Sequence, residues 1–347
     1  MILFNCDYLE GAHPRVMQRL METNMEQHAG YGEDAHCEKA RKTIKALCEA
    51  PKADVHFLVG GTQTNLTLLT AVLKPWQGVI SADTGHIAVH ETGSVEACGH
   101  KVIELPHESG KITGAQVAEY CRLHFTDASH EHMVMPKVVY ISLPTELGTV
   151  YNRSELEDMR RACDQYGLYL YVDGARLGYG MVSEACDVDL PFLARIADAF
   201  YIGGTKQGAL FGEALVIIND TLKQDFRYVI KQKGGMLAKG RLLGLQFTEL
   251  MKDDLYFELS RHAVALAMKL KQAMTDAGVK FLVDSPTNQQ FPVLPDSVLS
   301  ELGKKYSYSY QQRMDPENSA VRFCTSWATK EENVDMLIED IRALVQA

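Results

Sequence analysis

Short apolar runs alternate along most of the chain with longer stretches in which apolar positions recur at helical spacing. The first pattern is typical of buried strands and the second of amphipathic helices. Predicted strands are 55–59, 79–81, 101–105, 137–142, 168–172, 199–202 and 215–218. Predicted helices are 14–26, 37–50, 87–97, 114–124 and 154–166. Asp34 could cap the second of these, and one further helix is predicted to follow residues 60–62 and to end at residue 73. This alternation predicts βαβ units and therefore an α/β fold with a mostly parallel sheet between helices, closed by the strand at 215–218.

The pattern changes after residues 233–235. Beyond this point we expect a long helix over 239–274, strands at 280–283, 290–294 and 320–324, and a terminal helix over 331–346. The chain has 347 residues, more than one hydrophobic core usually supports. We therefore expect an N-terminal arm and large domain over 1–245, followed by a small C-terminal α+β domain over 246–347.

Composition and charge exclude several classes of protein. The formal net charge is −10 and no basic run is present, which argues against a nucleic-acid partner. No apolar stretch approaches the roughly 18 residues of a membrane span, and the first residues lack the features of a signal peptide. The eight cysteines form no C-x-x-C pair or zinc-like spacing, so we expect reduced thiols, a cytoplasmic location and no metal site.

Two of the predicted strands are followed by residues with reactive or ionisable side chains. Strand 168–172 is followed by Asp173, and strand 199–202 by two glycines, Thr205 and Lys206. Ligands of open α/β sheets bind at the carboxyl ends of strands, so the acid and the amine are expected to share a crevice. A lysine that forms an imine with pyridoxal phosphate (PLP) and a carboxylate that keeps its pyridine nitrogen protonated are the minimal groups for that cofactor. Taken singly, Lys206 could be a surface lysine and Asp173 a cap or turn residue.

Other candidate residues occupy comparable positions. Residues 60–62, Gly-Gly-Thr, stand between a strand and a helix, where backbone N–H groups can bind a phosphate, although Thr62 could simply cap the helix. His86 precedes another helix and could stack on a cofactor ring and transfer protons, or act as a cap. Arg176 and Arg322 could bind a substrate carboxylate. The competing interpretations are an exposed side chain for Arg176 and a structural ion pair for Arg322.

The order and spacing of these motifs resemble the threonine aldolase/aromatic amino acid β-eliminating lyase family of fold-type I PLP enzymes. The resemblance runs over nearly the whole chain. Its landmarks are Tyr31-Gly-Glu-Asp34, Gly60-Gly-Thr62, Gly85-His86-Ile87 with Glu91, Asp173-Gly-Ala-Arg176, the Lys206 turn and Val321-Arg322.

The resemblance implies an aspartate aminotransferase-like large domain, PLP as cofactor, and a homodimer or homotetramer with active sites between subunits. Tyr31 and segment 231–241 are then candidates for crossing that boundary. Lys206 would carry the Schiff base, Asp173 would hold the pyridine nitrogen, and His86 would stack on the ring. The residues implied to contact the cofactor are Gly61, Thr62, His86, Asp173, Arg176, Thr205 and Lys206. Those implied to contact the substrate are Cys6, Arg176 and Arg322.

Three positions depart from the family's pattern. The family often has Arg-Ser-Asp-Thr near its start, with the serine contacting the substrate, where this chain has Cys6 within Asn-Cys-Asp-Tyr. Region 143–148 reads Leu-Pro-Thr-Glu-Leu-Gly and lacks the family's histidine. Members of the family commonly have an arginine that reaches the phosphate of a neighbouring subunit, and this chain has Leu237 at that position. The residues that could substitute for it are Lys233, Lys239 and Arg241.

We therefore expect a PLP-dependent carbon–carbon lyase that cleaves a β-hydroxy-α-amino acid of the threonine or allo-threonine type to glycine and an aldehyde. One alternative is a β-eliminating lyase acting on another amino acid. A different class of alternative is a non-catalytic PLP-binding or scaffold protein. A nucleotide-binding module is disfavoured because residues 60–65 lack the lysine and spacing of a phosphate-binding loop.

Overall fold

A computed structural model describes residues 1–345 of the chain. Its strands, numbered in chain order, are β1 Ile2–Leu3, β2 Asp54–Leu58, β3 Gln77–Ala82, β4 Lys101–Leu105, β5 Met135–Ser142, β6 Tyr169–Asp173, β7 Ala199–Gly203, β8 Glu213–Ile217, β9 Lys280–Phe281, β10 Gln289–Gln290, β11 Pro292–Pro295, β12 Tyr306–Ser307, β13 Ser309–Arg313 and β14 Asn318–Cys324. Its α-helices are α1 Pro14–Glu22, α2 Ala35–Leu47, α3 Gly61–Val72, α4 His86–Val89, α5 Ser94–Ala97, α6 Gly114–Thr126, α7 Arg153–Tyr166, α8 Leu177–Met181, α9 Leu190–Ile196, α10 Phe226–Gln232, α11 Arg241–Leu250, α12 Leu255–Asp276, α13 Asp296–Leu302 and α14 Glu331–Val345. No helix among these residues has both the length and the apolarity needed to cross a membrane.

The largest sheet has seven strands in the order β2-β8-β7-β6-β5-β3-β4. Five adjacent strands of this sheet are parallel to one another, as the alternation of strands and helices predicted. They are β4, β3, β5, β6 and β7. Strand β8 is antiparallel to both β7 and β2. As predicted for 215–218, β8 is the last strand of this sheet in chain order, but it lies between β7 and β2 and not at an edge. Because β8 returns directly from β7, its other edge is free to pair with β2, which becomes the edge strand.

Both faces of the seven-stranded sheet are covered by helices. In β5 the side chains of Val138 and Tyr140 join a core formed with α3 and α10. Those of Val139 and Ile141 join a larger core formed with α2, α6 and α7 on the opposite face. Successive side chains of a strand point to opposite faces, so a strand covered on both sides is apolar at nearly every position. This is why the strands of this sheet were visible as continuous apolar runs.

The C-terminal third forms a second sheet, which is antiparallel. Strand β14 pairs with β10, β11 and β13, and β9 pairs with β11. Helices α12, α13 and α14 share a core with Phe323 of β14. Phe4 belongs to the same core, and β1 pairs with β12, so the N-terminal arm packs against the C-terminal part. The domain division at 245/246 stays a prediction; residue 245 lies within α11.

Two predicted helices are interrupted in the structure. The stretch 239–274 divides into α11 and α12, because Asp253 and Asp254 adopt positive φ angles of 55° and 60°. The stretch 87–97 divides into α4 and α5, with Gly93 at a φ of 69° between them. Residues in this left-handed region do not continue a right-handed helix. Local apolar periodicity carries no signal for such breaks.

The ends of the other predicted helices mostly shift by a few residues. Asp34 caps α2 as predicted, and its Oδ1 atom accepts a hydrogen bond of 2.9 Å from the backbone N–H of Cys37. Helix α1 ends at Glu22 rather than at residue 26. The terminal helix begins at Glu331 as predicted, and its predicted last residue, Gln346, lies outside the described residues.

The crossing of α11 over α2 requires a glycine and provides a test of the packing. A Cβ atom on Gly244 would lie 2.4 Å from the Cα atom of Cys37. Alanine is normally favoured over glycine inside a helix by about 1 kcal/mol, but here a backbone atom blocks the methyl group. We expect Gly244→Ala to lower the free energy of unfolding by roughly 1–3 kcal/mol, the usual range for overpacking, as measured by urea denaturation.

The control for this measurement is Gly303→Ala. Gly303 has a helical φ of −61°, and a Cβ there would come no closer than 3.2 Å to another atom. We expect little change in its free energy of unfolding. Equal losses in the two variants would contradict a specific contact between α11 and α2.

Candidate active site

The carboxyl ends of β5, β6 and β7 and the first turns of α3 and α4 surround a cavity of about 680 Å³. Strands β13 and β14 of the C-terminal sheet complete its wall. The predicted site residues that line it are Gly61, Thr62, His86, Asp173, Arg176, Thr205, Lys206 and Arg322. Cys6, predicted to contact the substrate, is buried outside this lining, whereas its near neighbour Tyr8 is part of it. The acid and the amine chosen from the sequence thus share one cavity.

Asp173, the last residue of β6, is a buried carboxylate held by four hydrogen-bond donors. These donors are the Tyr140 hydroxyl at 2.6 Å, the Asn65 Nδ2 group at 3.0 Å, the Ala175 N–H at 3.0 Å and the Tyr201 hydroxyl. Burial raises the pKa of Asp173, but the nearby His86 and the two tyrosine hydroxyls outweigh that effect and lower the pKa below its usual value. The carboxylate is therefore kept ionised in a place with little water, as a partner for a positively charged nitrogen.

Lys206 lies in the connection between β7 and β8, next to a backbone turn that only glycine permits. A Cβ atom on Gly203 would lie 2.5 Å from the carbonyl oxygen of Ala175. Burial lowers the pKa of the Lys206 amine, and the positive charge of Arg176 lowers it further. An amine that loses its proton readily is a competent nucleophile towards a carbonyl carbon. The interpretation of Lys206 as an ordinary surface lysine is wrong.

Arg176 forms a two-pronged ion pair with Asp7. Its Nε and Nη2 groups donate hydrogen bonds of 2.7 and 3.0 Å to the two carboxylate oxygens of Asp7, which is fully buried. Burial raises the pKa of Asp7, but Arg176 and Lys206 lower it to about 2. The third guanidinium nitrogen, Nη1, has no hydrogen-bond partner in residues 1–345. The alternative of an exposed Arg176 is wrong, because the side chain is only 12% exposed.

Arg322, on β14, reaches the cavity from the C-terminal sheet. Its Nη1 group donates to Gln289 at 3.1 Å and its Nη2 group to the backbone carbonyl of Asn5 at 3.0 Å. Its Nε atom is buried without a partner in the described part of the chain. No acidic side chain there pairs with it, so the alternative of a structural ion pair is wrong for the described residues. An arginine in a cavity wall that has no acidic partner is suited to binding an anion.

The N-terminus of α3 opens into the cavity without a side-chain cap. The cap residue Gly60 is extended, and Thr62 makes no capping hydrogen bond, so the interpretation of Thr62 as a cap is wrong. No atom lies within 4 Å of the position of a Cβ on Gly60. Free backbone N–H groups beside open space suit a phosphate group. The residues present therefore fit PLP: a phosphate cradle, an amine, a buried carboxylate and a histidine face one cavity.

His86, the first residue of α4, is connected to Asp173 through two buried side chains. Its Nδ1 atom lies 2.8 Å from Oε1 of Glu91, and the same oxygen accepts a 2.8 Å hydrogen bond from Asn65. Asn65 also donates to Asp173, and its own Oδ1 accepts from the Tyr171 hydroxyl at 2.8 Å. This chain of contacts fixes the orientation of the His86 ring.

Two buried or partly buried carboxyl groups in the cavity wall were not singled out in the sequence. Glu213, at the start of β8, accepts a 3.0 Å hydrogen bond from the Gly204 N–H, and burial raises the pKa of its carboxyl to about 7. Glu146 accepts from the Ser142 hydroxyl at 2.6 Å and from the backbone N–H of His86 at 2.9 Å. The one feature of the sequence that could have drawn attention to Glu146 is its position in segment 143–148, which lacks the family's histidine.

A group of potential metal ligands, which the sequence spacing did not reveal, lies outside the cavity. Oε2 of Glu26 is 2.7 Å from Nε2 of His28 and 3.0 Å from Nε2 of His36. The three side chains are partly exposed. Hydrogen bonding between the imidazoles and the carboxylate accounts for this arrangement.

Comparison with known sequences identifies the family. The profile described as "Beta-eliminating lyase" matches residues 6–296. The chain belongs to this family. It is 30% identical to the low specificity L-threonine aldolase of Pseudomonas sp. (strain NCIMB 10558), over 99% of the chain and 98% of that protein. It is 25% identical to the low specificity L-threonine aldolase of Saccharomyces cerevisiae, over 83% of the chain and 75% of that protein.

Solved structures agree with the family and confirm the predicted fold class. The structure of Leishmania major threonine aldolase superposes with a TM-score of 0.97 at 45% identity, covering 99% of this chain and 100% of that one. An aspartate aminotransferase of Thermus thermophilus superposes with a TM-score of 0.73 at 16% identity, covering 99% of this chain and 91% of that one. The second likeness shows that this β-eliminating lyase family member has the aspartate aminotransferase-like fold.

The pair between Arg176 and Asp7 predicts a pH-dependent contribution to stability. Replacing Asp7 with Asn leaves the guanidinium largely buried without a counter-charge, so we expect a loss of about 3 kcal/mol in the free energy of unfolding at pH 7. The pKa of Asp7 is about 2 in the fold and about 3.9 in an unfolded chain. The difference between wild type and Asp7→Asn should therefore be constant above roughly pH 5 and shrink as the pH falls towards 2.

The control is Asp253→Asn, which breaks the exposed pair between Arg15 and Asp253. An exposed pair of this kind contributes little, so its free energy of unfolding should change by less than about 1 kcal/mol. Urea denaturation of the three proteins from pH 7 to pH 3 makes the comparison. A difference for Asp7→Asn that does not shrink with acid would contradict the role given to this ion pair.

Proposed function

We propose that this protein is a PLP-dependent aldolase that cleaves a β-hydroxy-α-amino acid of the threonine or allo-threonine type to glycine and an aldehyde. The observation that carries the proposal is the single cavity in which the Lys206 amine and the Asp173 carboxylate meet beside an uncapped helix N-terminus. The threonine aldolases named above, which match nearly the whole chain in sequence or structure, support the same reaction.

The cofactor would be held by residues that already face the cavity. Lys206 would bind it covalently, Asp173 would pair with the pyridine nitrogen, and the N–H groups of Gly61 and Thr62 would bind the phosphate. His86, oriented by Glu91, would lie against the ring. When bound, PLP supplies an electron-accepting ring for the electron pair left when a bond at the amino-acid Cα breaks.

The two arginines would bind and orient the substrate. The Nη1 group of Arg176 has no hydrogen-bond partner in residues 1–345, and the side chains of Arg176 and Arg322 both line the cavity. An amino-acid carboxylate between them would fix the rotation about Cα and align the Cα–Cβ bond for cleavage. Orientation of this kind favours one of the bonds at Cα over the others.

Cleavage requires removal of the proton from the β-hydroxyl group. The acceptors expected from the sequence are His86 and a water molecule that His86 positions. As the O–H bond breaks, its electron pair forms the aldehyde carbonyl. The electron pair of the Cα–Cβ bond remains on Cα, which then takes up a proton to give glycine. The cavity adds Glu146 as a third possible acceptor.

We also propose that the protein acts as a homodimer or homotetramer in the cytoplasm, with sites between subunits. The residues that support this are exposed in the single chain. Tyr31 is 46% exposed and stacks against Lys231, whose ammonium lies 4.7 Å from the ring centre. Tyrosine side chains are enriched in surfaces that contact another protein.

Purified protein incubated with threonine, allo-threonine and phenylserine should release an aldehyde and glycine. We expect Lys206→Ala to abolish this activity, together with an absorbance band near ~420 nm from the bound cofactor. Lys101→Ala, on the exposed edge strand β4, is the matched control and should retain both. Release of pyruvate or ammonia without aldehyde would favour a β-eliminating lyase. A cofactor band without turnover of any amino acid would favour a non-catalytic PLP-binding protein.

A further inference from the structure

The carboxyl group of Glu146 is anchored by one oxygen and open at the other. Its Oε1 atom accepts hydrogen bonds from the Ser142 hydroxyl and the His86 N–H. Its Oε2 atom accepts none from residues 1–345, and the side chain lines the cavity. Glu146 is partly buried, and a carboxylate oxygen without a partner in the wall of a ligand cavity is able to accept a hydrogen bond from a bound ligand.

Glu146 is positioned by two elements of the cavity. It follows β5 closely in the chain, and Ser142 is the last residue of that strand. His86 is the first residue of α4. Two donors from different elements hold the carboxyl group in one place. A proton acceptor must be held in this way, because proton transfer requires hydrogen-bond distance to the reacting group.

We propose that Glu146 is the catalytic proton acceptor for the β-hydroxyl group of the substrate. This assignment rests on the proposed aldolase function. The Oε2 atom of Glu146 takes the hydroxyl proton, and the O–H electron pair forms the carbonyl bond of the aldehyde. The Cα–Cβ bond breaks with its electron pair left on Cα, which takes up a proton from solvent. The proton on Glu146 returns to solvent, so atoms and charge balance over the cycle.

In this assignment His86 positions the acceptor. Its backbone N–H holds Glu146, and its ring Nδ1 atom is bound to Glu91. One residue thus orients two carboxyl groups, Glu146 through the main chain and Glu91 through the ring. Of these two carboxyl groups, only that of Glu146 has an oxygen without a hydrogen-bond partner in the described part of the chain.

The surroundings of Glu146 raise the pKa of its carboxyl group above the usual value. Burial raises its pKa, the Ser142 hydrogen bond opposes this rise, and the negative charge of Asp173 adds to it. The titratable and charged groups that face it are Asp173, His86, Tyr140, Tyr151 and Arg176. A general base transfers protons best when its pKa lies close to the operating pH.

Glu146→Gln tests the assignment, because the amide oxygen can still accept from Ser142 and His86 while the group can no longer take up a proton. We expect kcat for aldehyde release to fall about 100-fold to 10,000-fold, the usual contribution of general base catalysis, with KM changed much less. The cofactor absorbance band should remain. Glu104→Gln, an exposed change on strand β4, is the matched control and should leave kcat unchanged.

Two further variants separate a base from a structural residue. Ser142→Ala removes a hydrogen bond that lowers the Glu146 pKa, so the acidic limb of the pH–kcat profile should move to higher pH. Glu146→Ala should regain part of its activity when formate is added, since formate can take the place of the lost carboxylate. A structural role for Glu146 predicts neither result.

A measurement without turnover tests the same carboxyl group. Because its pKa is raised in the fold, its contribution to stability is present at low pH and is lost as the pH rises above about 4.3, the unfolded value. The Tm of Glu146→Gln relative to wild type should therefore rise as the pH increases from about 4.3. This comparison is made on protein without substrate.

The possible outcomes are distinct. An unchanged kcat in Glu146→Gln would overturn the assignment and leave the aldolase function standing. The same conclusion follows if Glu146→Gln loses both its activity and the cofactor band, or if it loses its activity and has a lower Tm at pH 7. Absence of aldehyde release by the wild-type protein would overturn the aldolase function and the assignment with it. Loss of kcat with the band retained, together with rescue by formate, is the result that the assignment requires.

Discussion

The candidate site depends on one buried negative charge, the carboxylate of Asp173. Moving an isolated carboxylate from water into a protein interior costs several kcal/mol, and hydrogen bonds to its charged form offset that cost. Tyr140 and Tyr201 supply two of them from β5 and β7, the strands on either side of β6. Asn65 supplies another from α3. The order of strands in the sheet therefore determines whether this position can hold a charge at all.

The two arginines of the cavity are paired differently. Asp7 accepts hydrogen bonds from two of the three guanidinium nitrogens of Arg176. Arg322 has no acidic partner in residues 1–345. Burial lowers the pKa of Lys206 and the positive charge of Arg176 lowers it further, which favours the nucleophilic amine. In the proposed function, the guanidinium groups of Arg176 and Arg322 would bind the substrate carboxylate.

Several functional side chains share their partners, so their roles are coupled. Asn65 donates to Glu91 and to Asp173, and His86 contacts Glu91 with its ring and Glu146 with its backbone. Effects of substitutions within such a network are not additive. A loss of activity on changing His86 therefore includes the displacement of neighbouring carboxyl groups. Variants that keep each hydrogen bond, such as glutamine for glutamate, give clearer results than alanine.

The sequence by itself determined the features that depend on neighbours in the chain. Apolar runs gave the strands of the parallel sheet, and residues at strand ends gave Asp173 and Lys206, because a strand end and its side chain are local properties. Only the tertiary structure decided that β8 lies between β7 and β2, and that Asp7 pairs with Arg176 across 169 residues of sequence. The same holds for Glu146 and Glu213, whose altered pKa values arise from burial by distant elements. Periodicity records which face of an element is covered, and it carries no information on which element covers it.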